Sequence, residues 1–123
     1  MPYPIRLACA SALILFSIAT ARAGDVEIVD VKAVPGPDGW RFDVTLLHED
    51  TGWDHYADAW RVVGPDGQVY GTRTLAHPHV DEQPFTRSLS RVAIPQDVTS
   101  VTIEAHDSVH GWSPMEFMVS LDR

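Results

Sequence analysis

This chain of 123 residues holds a single cysteine, Cys9. A lone thiol makes no internal disulfide, so the fold must be held by a hydrophobic core or a ligand. Basic residues are also scarce. Nine Lys and Arg stand against seventeen Asp and Glu, a formal charge of −8. Such a surface repels phosphate backbones and anionic lipid headgroups, which sets nucleic acid aside and suits a cation or a basic partner. No His-Glu-x-x-His, no Cys-x-x-Cys, no glycine-rich phosphate loop and no dinucleotide fingerprint occurs. Ser108 lies near His106, Asp107 and His110, yet nothing marks an oxyanion hole, so an enzyme is not the expectation. Past residue 23, no stretch keeps apolar residues at i, i+3, i+4 and i+7, which leaves amphipathic helices without support.

What is present at the start is an export pattern. Arg6 supplies a positive charge, an apolar run follows from Leu7 through Ile18, and the segment closes on Ala21-Arg22-Ala23. A charged start, a short apolar centre and an A-x-A end describe a secretory signal; the run is too short to span a bilayer. Cleavage is expected after Ala23. The chain then divides into a signal, residues 1–23, and a domain, residues 24–123, exported to the periplasm or secreted. Cys9 precedes most of the apolar run, the wrong place for a lipid-bearing cysteine at the cleavage point. No membrane anchor is expected after cleavage. Seven basic residues face seventeen acidic ones beyond Ala23, a formal −10 with neutral histidines.

The domain alternates with period two. In "WRFDVTLLH", Trp40, Phe42, Val44 and Leu46 point one way and Arg41, Asp43 and Thr45 the other. "SVTIEAH" sets Val101, Ile103 and Ala105 against Thr102, Glu104 and His106, and "EFMVSLD" sets Phe117, Val119 and Leu121 against Met118 and Ser120. Pro-Asp-Gly turns stand at Pro37–Gly39 and Pro65–Gly67, where proline fixes one dihedral and glycine accepts a positive one. Seven strands are predicted, near 26–34, 39–48, 56–63, 68–76, 86–93, 99–106 and 115–122. Short alternating strands with turns between them fold as a β-sandwich, which hides one apolar face of each. Trp60 falls on the third strand, where immunoglobulin-like domains often keep a core tryptophan. Without their disulfide, a fibronectin type III-like antiparallel arrangement is closer.

The strings "HPHVDEQPFTR" and "AHDSVHG" resemble those of small exported bacterial proteins of uncharacterised function, over most of the mature chain. The resemblance implies an immunoglobulin-like sandwich. It implies no activity and carries over no catalytic residue.

With strands running alternately up and down, all six histidines fall at one end. His48 and His55 bracket one loop, His77 and His79 share a second, and His106 and His110 bracket a third. Asp50, Asp54, Asp81, Glu82 and Asp107 join them. Sandwich loops far apart in sequence are neighbours in space. Imidazole is the commonest zinc and copper ligand, and a nearby carboxylate can ligate or orient a ring. His77, His79, His106 and His110 are the first metal candidates, for zinc or copper. His48, His55, Asp54, Asp81, Glu82 and Asp107 form a possible additional set, although the inward parity of His48 suits a buried structural role. The same residues can equally form a hydrogen-bond network that pins the loops. In that case the loop end is a protein- or glycan-binding surface. Trp53 and Trp112, each following a glycine, can stack on a ligand or close the sandwich end. Arg87 can pair with a loop acid. Met115 and Met118 suit Cu(I) but more commonly fill gaps.

Overall fold

The computed structural model describes residues 24–123; the expected signal segment lies outside the described residues. The described chain is all β. Its strands are β1 (Glu27–Gly36), β2 (Gly39–Leu47), β3 (Ala57–Val63), β4 (Val69–Thr74), β5 (Phe85–Val92), β6 (Ser100–Asp107), β7 (Gly111–Trp112) and β8 (Phe117–Ser120). One antiparallel sheet has the order β1-β2-β5. The other has the order β4-β3-β6-β7, and β8 pairs with β6 further along. The two sheets pack in a sandwich-like arrangement around one core.

Alternation builds that core. Trp40, Phe42, Val44 and Leu46 of β2 face Val101, Ile103 and Ala105 of β6, and Ala57, Trp60, Val62, Phe85 and Val92 complete the layer; all are buried. Each fully buried large apolar side chain contributes roughly 1.5–3 kcal/mol. A register shift between Ala57 and Ala59 lets Ala57 and Trp60 both point inward, although three positions separate them. At the β1–β2 turn Gly39 has φ +130, and a Cβ there would stand 2.8 Å from the Val92 carbonyl oxygen. Only glycine meets both demands.

Seven strands were predicted and eight form among the described residues. The difference lies in the last one. After β6 the chain folds back at once, pairing Asp107 with Gly111 and His106 with Trp112. Pro114 has no N–H to continue the ladder, so pairing lapses. It resumes when Phe117 meets Ile103.

The pairing registers define two ends. At one, Leu46 meets Phe85 and Ala57 meets Asp107. This end carries the loops 48–56, 75–84 and 108–116 with five of the histidines, and the sixth, His106, stands at the end of β6 beside them. At the other, Trp40 meets Val92 and Val63 meets Thr102. An open cleft of about 680 Å³ lies at that second end, lined by Pro37, Trp40, Tyr70, Pro95 and Arg123 among others. It contains no histidine.

Candidate metal centre at the loop end

Strand parity does not stop where the apolar residues stop. The inward row of β2 runs Trp40, Phe42, Val44, Leu46 and then His48. The inward row of β6 runs Val101, Ile103, Ala105 and then Asp107. Both polar residues are buried, with Asp107 fully so. The core therefore ends in a histidine and an aspartate, and each must be satisfied inside.

Asp50 satisfies the first. Its Oδ1 pairs with His48 Nδ1 and accepts Ala57 N–H at 2.9 Å, and its Oδ2 accepts His79 N–H at 2.8 Å. The other ring nitrogen of His48 lies 2.7 Å from the Gly24 carbonyl. Both ring nitrogens of His48 are thus engaged, one with Asp50 and one with the Gly24 carbonyl. Gln83 adds a second tie: its Oε1 accepts His48 N–H, and its Nε2 donates to the His79 carbonyl. Together these contacts fasten the 48–56 loop to the 75–84 loop.

Asp107 organises the other half. Its Oδ1 accepts Val109 N–H at 2.9 Å and His110 N–H at 2.7 Å. The same oxygen lies 3.1 Å from His110 Nδ1 and from His55 Nε2. Its Oδ2 is buried with no hydrogen-bond partner among the described residues. Burial pushes the Asp107 carboxyl up, but the His110 and Val109 N–H groups and the His110 ring outweigh it and hold the carboxyl below the usual range. Tyr56 N–H donates to Ser108 Oγ and Ser108 N–H to the Tyr56 carbonyl, closing the 48–56 loop against the 108–116 loop.

Two groups of ligand atoms are close enough to hold an ion, each with its atoms within 4.8 Å of one another: His48, His55 and Asp107, and Asp25, Asp107 and His110. Asp107 belongs to both. The rings of His48 and His55 are 4.8 Å apart and those of His55 and His110 are 5.0 Å apart. The same side chains are also tied by the hydrogen bonds above, so they can hold an ion or one another.

The first-choice quartet is spread over three settings. His110 joins Asp107. His106 has outward parity on β6, where its Nδ1 pairs with Asp58 Oδ1 and its ring meets Trp112 edge-on at 4.8 Å. His77 and His79 lie 4.7 Å apart, centre to centre. His77 is exposed, whereas His79 is buried and stacks on Phe85 at 4.0 Å. Arg87 Nη2 lies 2.8 Å from His79 Nε2. Arginine can only donate, so that nitrogen is an acceptor and the ring is neutral. Of the additional set, His48, His55 and Asp107 come together. Asp54, Asp81 and Glu82 stay exposed, Glu82 paired with Arg87 at 3.3 Å. Trp53 is 68% exposed, edge-on to Tyr56, while Trp112 is half covered by Arg61, whose guanidinium carbon lies 3.7 Å above its ring. Met118 is exposed on β8. Sequence reasoning missed Asp25 and Asp58. Asp58 shares an outward face with His106, which the pairing of β3 with β6 could have suggested; nothing local marks Asp25.

Burial, then the charges of Arg87 and His77, hold the His79 pKa below its ordinary value. A depressed folded pKa means the unfolded chain takes the proton first. The stability from neutral His79 is therefore present above about pH 6.5 and lost as pH falls through the folded value. Asp107 acts in the same sense lower down, present above about pH 4 and lost as pH falls through its own depressed value. In chelator, the urea midpoint advantage of the wild type over His79→Gln is expected to shrink between pH 7.5 and 5. A constant difference would contradict the assignment.

Fold and site together define an all-β, sandwich-like protein whose core ends in buried His/Asp groups at one loop end. No family model matches the chain, and no solved structure matches it. A protein named "Putative lipoprotein" from Halomicrobium mukohataei is 36% identical over 99 residues, which is 80% of this chain and 48% of that protein. The chain thus spans about half the length of the relative it matches.

Proposed function

We propose that this is an exported, immunoglobulin-like domain whose loop end binds a divalent transition metal, zinc or copper, around Asp107 with His55 and His110. The observation that carries the reading is the Asp107 carboxylate. It is fully buried; one oxygen takes every hydrogen bond and lies 3.1 Å from both the His55 and the His110 ring, and the other has none among the described residues. A buried anionic oxygen without a partner is costly, and a cation removes that cost. Imidazole with carboxylate suits Zn²⁺ and Cu²⁺. Asp25 can join from the rim. His48, fastened between Asp50 and Gly24, orients the surroundings.

The strand order supports the immunoglobulin-like reading. β1-β2-β5 facing β4-β3-β6-β7 is the A-B-E against C′-C-F-G order of fibronectin type III-like domains. Export rests on Arg6, the apolar run and the A-x-A ending, and agrees with the name of the Halomicrobium mukohataei relative.

Calorimetric titration of the protein with Zn²⁺ and Cu²⁺ tests the metal reading. Binding tighter than about 10 μM is expected, weakened at least about tenfold by His55→Ala with His110→Ala, and untouched by His77→Ala. Failure to bind at that level, or binding indifferent to the double variant, would end it. A second reading has one observation in its favour. Trp53, Val80 and Val109, one on each of the three loops, are exposed at this end. That suits a protein- or glycan-binding surface with structural histidines. It predicts no metal-dependent rise in Tm, whereas a specific metal raises Tm with ligand excess.

A further inference from the structure

The proposed centre sits against the residue that signal cleavage would expose. Gly24 directly follows Ala21-Arg22-Ala23. It has φ +94, and a Cβ on it would stand 2.9 Å from His110 Cε1 and 3.2 Å from His55 Cε1. Its carbonyl lies 2.7 Å from His48 Nε2. The next residue, Asp25, offers a ligand atom within 4.8 Å of those of Asp107 and His110. Gly24 is thus packed between two candidate ligand rings, in a conformation that residues with a side chain rarely adopt. Its nitrogen is one bond, about 1.46 Å, from the Cα so placed.

The chemistry of that nitrogen depends on processing. Joined to Ala23 it is a peptide N–H, whose lone pair is delocalised into the carbonyl and coordinates poorly. Hydrolysis of the Ala23–Gly24 bond turns it into an α-amine, whose lone pair belongs to the nitrogen alone and can coordinate a metal that displaces its proton. A second kind of nitrogen donor beside imidazole and carboxylate strengthens a Cu²⁺ or Zn²⁺ site.

Resting on the metal reading above, we propose that cleavage after Ala23 completes the centre, with the α-amine of Gly24 serving as a ligand beside His55, His110 and Asp107. The precursor, with an amide at this place, lacks that donor. The protein then takes up metal at full strength only after export and processing, which keeps the site weak before the signal is removed.

Lys32 is the sole lysine of the chain. In Lys32→Arg the α-amine is therefore the only primary amine of the processed protein, so acetylation blocks it alone. The full-length variant is produced with export, its first residue is read by intact mass, and the product is titrated with Cu²⁺ and Zn²⁺ before and after acetylation. The expected results are a chain beginning at Gly24, a loss of affinity of at least about tenfold on acetylation, and a shift of the Cu²⁺ visible band to longer wavelength as a nitrogen leaves. The unfolding midpoint in chelator is expected to stay within a few degrees, which places the loss at the site and not in the fold. Equal affinity with an unchanged band would overturn the amine ligand and leave the metal reading intact. A product that begins elsewhere would also overturn it. A processed, unacetylated chain that binds neither metal overturns both.

Discussion

Asp107→Ala is expected to lower the free energy of unfolding by about 2–4 kcal/mol in chelator, and to abolish metal binding. Two opposing terms set the size. Burying a carboxylate costs several kcal/mol, so its removal refunds something. Against that, hydrogen bonds to a charged group are worth about 1.5–3 kcal/mol each. Asp107 accepts from the N–H groups of Val109 and His110 and stands beside the rings of His55 and His110. The lowered pKa of Asp107 says that these N–H groups and the His110 ring favour its charged form despite the burial. Alanine leaves two turn N–H groups without their acceptor and loosens the start of β7, where Asp107 pairs with Gly111. Urea unfolding measures the loss. A cost below about 1 kcal/mol would mean that water replaces the carboxylate freely and that the site is not closed.

Much of the architecture was legible because alternation is a strong signal. Trp40 to Leu46 and Val101 to Ala105 declare their inward faces, and the Pro-Asp-Gly turns declare the hairpins. From these the clustering of six histidines at one end followed. The eighth strand was not legible, because two residues folding back on β6 carry no periodicity; only Gly111, with φ +79, and Pro114 hint at the break. The site was half legible. The parity that buries Ala105 buries Asp107 two positions on, and it turns His106 outward toward Asp58. Weighting histidine as the commonest ligand favoured His106, which the structure sets against Asp58, while the inward row places a buried carboxylate at Asp107. Charged groups are almost never fully buried without partners, so such a position is informative in itself. His77 and His79 could not be placed by parity, because loop residues have none. Arg87 decides for His79 through a contact eight residues away.

Asp50 and Asp107 are both buried carboxylates, and asparagine is expected to separate them. All the hydrogen bonds at Asp107 fall on Oδ1, and Oδ2 has no partner among the described residues. In Asp107→Asn the new side chain can keep its oxygen toward Val109 and His110 and turn its amide into the position of Oδ2. This variant is therefore expected to cost no more than about 1.5 kcal/mol while still weakening metal binding at least about tenfold, because the neutral amide is a poor ligand. Asp50 uses both oxygens. Oδ1 serves the His48 ring and Ala57 N–H, and Oδ2 serves His79 N–H. An amide NH₂ in either place meets a donor head-on, in a side-chain environment with 0% exposure. The contact of the carboxylate with His48 Nδ1 is weakened as well. Breaking a buried pair from one side costs about 3–5 kcal/mol, so Asp50→Asn is expected to cost at least about 3 kcal/mol, close to Asp50→Ala. Urea unfolding gives the totals. Amide hydrogen exchange at Ala57 and His79 locates the damage: protection at both should collapse in Asp50→Asn and persist in Asp107→Asn. Equal costs for the two asparagine variants would contradict this division, in which Asp50 latches the loops and Asp107 keeps one oxygen for a cation.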